Sequence, residues 1–261
     1  MKSKAVASML LILGLAFNPT ILHAKTLKTC TVNIPGGITE DKSGPQPLRS
    51  LYQEVINIVS EKSNHEFELK IAPAERCLRL FSDGVVDIVW PFIILDDVEI
   101  AKAHGYKELP VFSMPIIMGG YYIFTRENGP VFHNVQELEG KTIVSARGYG
   151  VPNGMVDNSS IEWIKVNSNE QVPKMLKAKR ADAAIIQTGW VPMLKTQGLL
   201  DDTHHGDVID FWGGSFAFQF NQEGALLSSM FTNAILKLVS QGKYQEIMAE
   251  APYYIPEYSE K

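Results

Sequence analysis

Apolar positions along the chain switch between two periods, and the switching predicts strands alternating with helices. Thr29–Ile34 is a short apolar run ended by Pro35-Gly36-Gly37, which reads as a strand and then a polar loop to Pro47. Leu48, Leu51, Tyr52, Val55 and Val59 fall three or four apart, the spacing of one buried helix face, as far as Lys62. Phe67–Ile71 predicts the next strand. In Ala72–Phe92, Cys77, Leu78 and Phe81 keep helical spacing and Gly84 is a helix stop. Val85–Val89 is then a β-branched strand that finishes in Trp90-Pro91-Phe92. The same order of helix, turn, Asp and strand returns in Val172–Trp190. There Met175 and Leu176 mark the helix, Lys179-Arg180 the turn, and Ala183–Ile186 the strand after Asp182. Two such units predict two similar α/β lobes, each with a mostly parallel sheet and right-handed crossovers.

The remaining elements connect these units. Asp96–Ala103 predicts a helix, and Tyr121–Thr125, Thr142–Ser145, Trp163–Val166 and Phe216–Phe220 predict strands. Ser168 with Gln171 suggests a capping box, and Thr188–Thr196 reads as a helix stopped at Gly198. Leu227, Met230, Phe231, Ala234 and Leu238 mark a long helix to Gly242, with a last helix through Met248. Met118-Gly119-Gly120 and Trp212-Gly213-Gly214 are flexible points where the chain crosses between lobes. We therefore expect residues 25–117 with 216–261 to form lobe I, 118–215 to form lobe II, and a cleft to lie at the hinge.

Residues 1–24 are expected to stand outside the fold. Lys2 and Lys4, the apolar run Ala5–Phe17 and the break at Asn18-Pro19 resemble a secretory signal cleaved near Ala24; an uncleaved anchor is the alternative. Leu27-Lys28-Thr29-Cys30 lacks the small residues of a lipoprotein start, which points to the periplasm as the compartment. Loss of Lys2 and Lys4 takes the formal net charge from −5 to −7, which argues against a nucleic-acid partner. An oxidising compartment permits a Cys30–Cys77 bridge. The reading of Cys30 as the start of a strand, with Cys77 starting a helix antiparallel to it, sets the two at opposite ends and argues against one.

The ordered set of Leu80–Val89, Val135-Gln136-Glu137-Leu138-Glu139-Gly140-Lys141, Leu176–Ile186 and Leu236–Tyr244 resembles the bacterial extracytoplasmic solute-binding proteins of family 3, the polar amino-acid-binding type. The resemblance covers essentially the whole chain after residue 24. It implies a two-lobed periplasmic protein of the type II binding fold, closing on a small ligand for an ABC permease. It also implies two ion-pair anchors that this chain lacks. Where the family carries an Arg after the third strand, the chain reads Ile94-Leu95-Asp96-Asp97-Val98-Glu99, and where it carries an Asp after the second unit the chain has Gln187. A zwitterion needs both charges paired once water is excluded, so an ordinary α-amino acid is a poor fit.

Ligands of open parallel sheets sit beyond the carboxyl ends of the strands. That rule selects Arg76, Trp90, Phe92, Arg147, Gly148, Tyr149, Gln187 and Trp190, and Tyr121 beside the first crossing joins them. Arg76 at a helix start opposes the helix dipole unless it faces an anion or an acid. Trp90 and Phe92 either stack on a ligand or pack beneath a loop. Arg147-Gly148-Tyr149-Gly150 offers a cation, a ring and open backbone, or is a turn that needs Gly. His204-His205 among Asp201, Asp202 and Asp207 is the sole metal-like cluster and reads as a polar surface loop. No serine-nucleophile elbow, His-Glu-x-x-His or phosphate-loop lysine is present. We expect a monomeric binding protein with no cofactor, whose partners are a small molecule and a permease or membrane sensor. An enzyme resembling cyclohexadienyl dehydratases is the second reading, and an accessory protein the third.

Overall fold

The computed structural model describes residues 25–250 except 35, 42–43, 96–97, 104–105, 153–154 and 156–157, together with the backbone but not the side chains of 100 and 103. The expected signal segment, residues 1–24, lies outside the described residues.

The first half opens with β1 (Thr26–Thr31), α1 (Pro47–Ser63), β2 (Glu66–Ile71), α2 (Ala74–Ser82) and β3 (Ile88–Ile93). Then come α3 (Val98–Ala103), β4 (Val111–Phe112) and the ten-residue β5 (Ile117–Arg126). The second half holds β6 (Thr142–Ala146), β7 (Glu162–Val166), α4 (Gln171–Lys177), β8 (Ala183–Gln187), α5 (Val191–Thr196) and β9 (Thr203–His205). A second ten-residue strand, β10 (Ile209–Phe218), returns the chain, and α6 (Gln222–Ser240) and α7 (Lys243–Met248) finish it. The strands run β2-β1-β3-β10-β5-β8-β6-β7, with β4 on β10 and β9 on β5. β2, β1 and β3 are mutually parallel, and so are β8, β6 and β7. Between the two parallel groups, β10 and β5 run antiparallel to their neighbours and to each other. The alternation of apolar runs thus becomes two parallel groups bridged by two long strands.

The two helix–turn–Asp–strand units work alike. After α2 the Val85 and Val86 amides both return to the Leu80 carbonyl, and after α4 the Arg180 amide returns to Met175, closing each helix. Each Asp then ties its strand to a neighbour. The Asp87 carboxylate accepts from the Lys28 amide at 2.8 Å, and the Asp182 carboxylate accepts from the Thr142 amide at 3.0 Å. An acid at the start of the strand is therefore a register pin, and ligand chemistry is not its role.

One large hydrophobic cluster draws its buried residues from 27–117 and 216–248, with Leu51, Val55, Ile88, Phe216 and Phe231 fully enclosed. Two smaller clusters lie on opposite faces of the second parallel group, one under α4 and α5 and one around Ile143, Leu138 and Met155. No helix among the described residues is long and apolar enough to cross a membrane.

Several local expectations are corrected. Cys30 and Cys77 form a disulfide, with Cα atoms 5.5 Å apart. Cys30 is the fifth residue of β1 and not its start. A helix that follows a parallel strand begins at the carboxyl edge of the sheet, so Cys77 in α2 meets it there. The Gln171 side chain reaches back to the Asn167 amide at 3.1 Å, and Ser168 supplies no side-chain cap to α4. His204 and His205 lie in β9, paired with β5, and the His205 ring sits 4.1 Å from Tyr122 and 4.7 Å from Phe124.

Candidate functional site

Because both parallel groups point their carboxyl ends toward the bridging strands, the loops and helix starts from the two groups face each other across a cleft of about 990 Å³. Its first wall is the start of α2, with Arg76, and the end of β3, with Pro91 and Phe92. The opposite wall is the Arg147–Val151 loop after β6, Trp163 and Lys165 on the edge strand β7, and Gln187, Gly189 and Trp190 after β8. Ile117 of β5 and Trp212 of β10 close the base.

Seven of the nine residues selected from sequence line this cleft: Arg76, Phe92, Arg147, Gly148, Tyr149, Gln187 and Trp190. Trp90 and Tyr121 do not. β3 starts at Ile88 and runs on to Ile93, because Val85 and Val86 are used in closing α2, so Trp90 is mid-strand where a strand end was expected. Its ring is fully buried and stacks on Phe216 at 5.2 Å. Tyr121 is buried in β5, its hydroxyl toward the Gln187 side chain, and burial pushes that hydroxyl up from its ordinary pKa. It supports Gln187 from behind.

Gly148 has φ +74°, and a Cβ there would stand 2.6 Å from the Glu75 backbone nitrogen. The glycine is therefore where the loop after β6 touches the start of α2 across the cleft. Beside it, Tyr149 meets Trp190 edge to face at 5.6 Å. Burial pushes the Tyr149 hydroxyl well up, with the Glu170 charge adding to the shift, so it stays a neutral phenol.

Sequence reasoning missed Trp163, Lys165, Lys107 and Trp212. The rule that selected strand ends would have found Lys165, the fourth residue of the five-residue β7, had it been applied to that strand. Trp212, beside Gly213-Gly214, carries in the sequence only the signal of a flexible point.

Charge in the cleft runs opposite to that of the chain. Among the described residues that line it, Arg76, Arg79, Lys107, Arg147 and Lys165 face two acids, Glu75 and Asp83. Asp83 is taken by Lys107 at 2.7 Å, and that contact holds its carboxyl below the usual range. Among the described residues, Arg76, Arg147 and Lys165 make no ion pair. Lys165 donates to the Ser145 hydroxyl at 2.8 Å and lies 4.0 Å above the Trp163 ring, and desolvation lowers its pKa from 10.5 to about 8. Such a constellation of cations and rings holds anions and flat bodies. No group of three or more His, Cys, Asp or Glu that could hold a metal occurs among the described residues.

The fold is that of periplasmic-binding-protein-like ligand-binding domains. The chain is similar to a histidine kinase sensor domain with similarity to periplasmic binding proteins, with TM-score 0.69 and 14% identity, covering 89% of this chain and 96% of that one. It is similar to the GluR0 ligand-binding core from Nostoc punctiforme in complex with L-glutamate, with TM-score 0.67, 17% identity, and 88% and 99% of the two chains covered. A third is an ABC uptake transporter substrate binding protein from Streptococcus pneumoniae with bound histidine, with TM-score 0.65, 15% identity, and 88% and 92% covered. No family model matches the sequence, and no curated protein matches it.

Proposed function

We propose that the chain is an extracytoplasmic solute-binding protein. Residues 25–117 with 216–261 act as one lobe and 118–215 as the other, and they close on a small polar ligand for an ABC importer. The observation that carries this is the cleft itself: residues from both proposed lobes line it, and the two bridging strands β5 and β10 form its base. Domains of this fold trap ligands by closure about such straps. Histidine and glutamate are bound by two of the fold relatives. Two features of this chain argue for a different solute: Gln187 lies where an acid would meet an α-ammonium, and among the described residues no lining acid is left unpaired except exposed Glu75.

One fold relative favours a second reading, in which the same closure is read by a membrane sensor: it is itself a sensor domain. Thermal-shift screening of residues 25–261 against polar metabolites, followed by chromatography of any hit, tests the proposal. Stabilisation by one solute class that is recovered unchanged is expected. A panel that stabilises nothing, or a hit that is consumed, overturns it.

A further inference from the structure

We propose that Arg147 and Lys165 form an anion subsite in the cleft and that the solute is an aryl carboxylate, a flat unsaturated body carrying a carboxylate and no ammonium. This rests on the solute-binding reading above and gives it a substrate class.

Lys165 is the first observation. Lysines normally keep the ammonium in water or against an acid, because burying it alone is costly. Here the ammonium is half-buried in the cleft wall, and among the described residues its contacts are a hydroxyl and a tryptophan face. Neither contact neutralises a charge. Arg147 is the second. Its Nε donates to the Lys165 carbonyl at 3.3 Å, which tethers the exposed guanidinium to the same wall and leaves its two terminal nitrogens without a protein partner among the described residues. A guanidinium held in this way offers the planar fork that matches a carboxylate. Two like charges on one wall repel, and an anion between them removes both penalties.

The rings supply the rest of the ligand. Trp163, Trp190, Tyr149 and Trp212 line the same space, so a solute anchored at Lys165 meets aromatic faces before it meets water. Among the described residues the wall offers no free acid to an ammonium: the lining acids are Glu75, exposed at the rim, and Asp83, already paired with Lys107. Among the described residues, the charged groups sharing the cleft with Lys165 are Glu75, Arg76, Arg79 and Asp83 on and after α2, Lys107 beyond α3, and Arg147 on its own wall, with Glu170 behind Tyr149. Since Lys165 in the empty protein titrates at about 8, an arriving carboxylate pulls a proton onto it.

Isothermal titration of residues 25–261 with phenylacetate, 2-phenylethanol and L-phenylalanine tests this with one ring and three charge states. Phenylacetate is expected to bind at least about tenfold more tightly than the other two. At pH 8, buffers of different ionisation enthalpy should reveal uptake of about half a proton. Lys165→Met should weaken phenylacetate by about tenfold or more and abolish the uptake while the ligand-free variant still melts cooperatively. Arg147→Lys, which keeps the charge but not the fork, should fall between. Equal binding of the alcohol or the amino acid overturns the inference, as does Lys165→Met with unchanged affinity and uptake. If none of the three binds, the inference fails; the broad solute screen then shows separately whether the binding reading survives.

Discussion

Lys165 burdens the empty protein in a way that can be measured without any ligand. Its folded pKa, about 8, lies below its ordinary 10.5. Between those values the unfolded chain holds more protons than the folded one, so stability rises with pH across that window, and below it the burial penalty is present in full. Ligand-free Lys165→Met should therefore melt above the parent at pH 7, and the gap should close as pH approaches 10.5. Each kcal/mol shifts melting by roughly 2–4 °C in a chain of this size. A variant that melts below the parent at pH 7 would mean that the lysine is a structural strut. Gly148 is the second residue whose part is measurable. Alanine at φ +74° carries about 1 kcal/mol of strain whether the cleft is open or shut, but its Cβ collides with the Glu75 amide only where the loop meets α2. Gly148→Ala should thus lose affinity for the solute by about tenfold beyond its modest loss of melting temperature, read by calorimetry beside thermal melts. At this scale the sequence was a partial guide. Arg147 and Trp190 were legible because strand-end loops face ligands. Trp90 was misplaced by the two residues that close α2, a tertiary detail that apolar periodicity does not encode.

At the scale of elements the pattern of apolar runs was enough to lay out the order of strands and helices, because each buried face repeats at its own period. What it did not encode was where each strand starts within its run. The valines at 85 and 86 look like strand but serve as the cap of α2, with Val85 exposed, and β1 begins three residues earlier than its apolar run suggested. That shift in β1 also decides the cysteines, since it moves Cys30 from the start of the strand to its carboxyl end, beside α2. The bridge spans 47 residues and encloses α1 and β2, so it restrains the first parallel group as a unit. Closing a loop of that length corresponds to about 4 kcal/mol in the chain-entropy account, with about 2–4 typical in practice. Melting with and without a reductant should show a loss of that order, and Cys30→Ser with Cys77→Ser should reproduce the reduced value in either buffer. No difference would mean that the bridge is absent from the protein in solution.

For the whole molecule, the two long strands decide how the two parallel groups can move. β10 pairs with β3 on one side and β5 on the other, β5 pairs onward with β8, and these are the main-chain ladders that join the two parallel groups. β10 breaks register twice along its length, between Ser215 and Ala217 against β3 and between Ile209 and Trp212 against β5. At the second break Trp212 sits against Gly119 so closely that a Cβ at 119 would stand 2.5 Å from the indole ring, and its Nε1 donates to the Gly120 carbonyl at 3.3 Å. The same indole lines the cleft, so a change in how the two strands cross is felt directly where a solute would lie. If the straps bend there, saturating ligand should lower the radius of gyration measured by solution scattering. Gly119→Ala, which drives Trp212 off β5, should blunt that contraction and weaken binding while leaving both cores intact. Retention of the full contraction in Gly119→Ala would move the bending point away from this crossing. An unchanged radius in the parent at saturating ligand would mean that the two groups are fixed and that the solute enters a preformed groove.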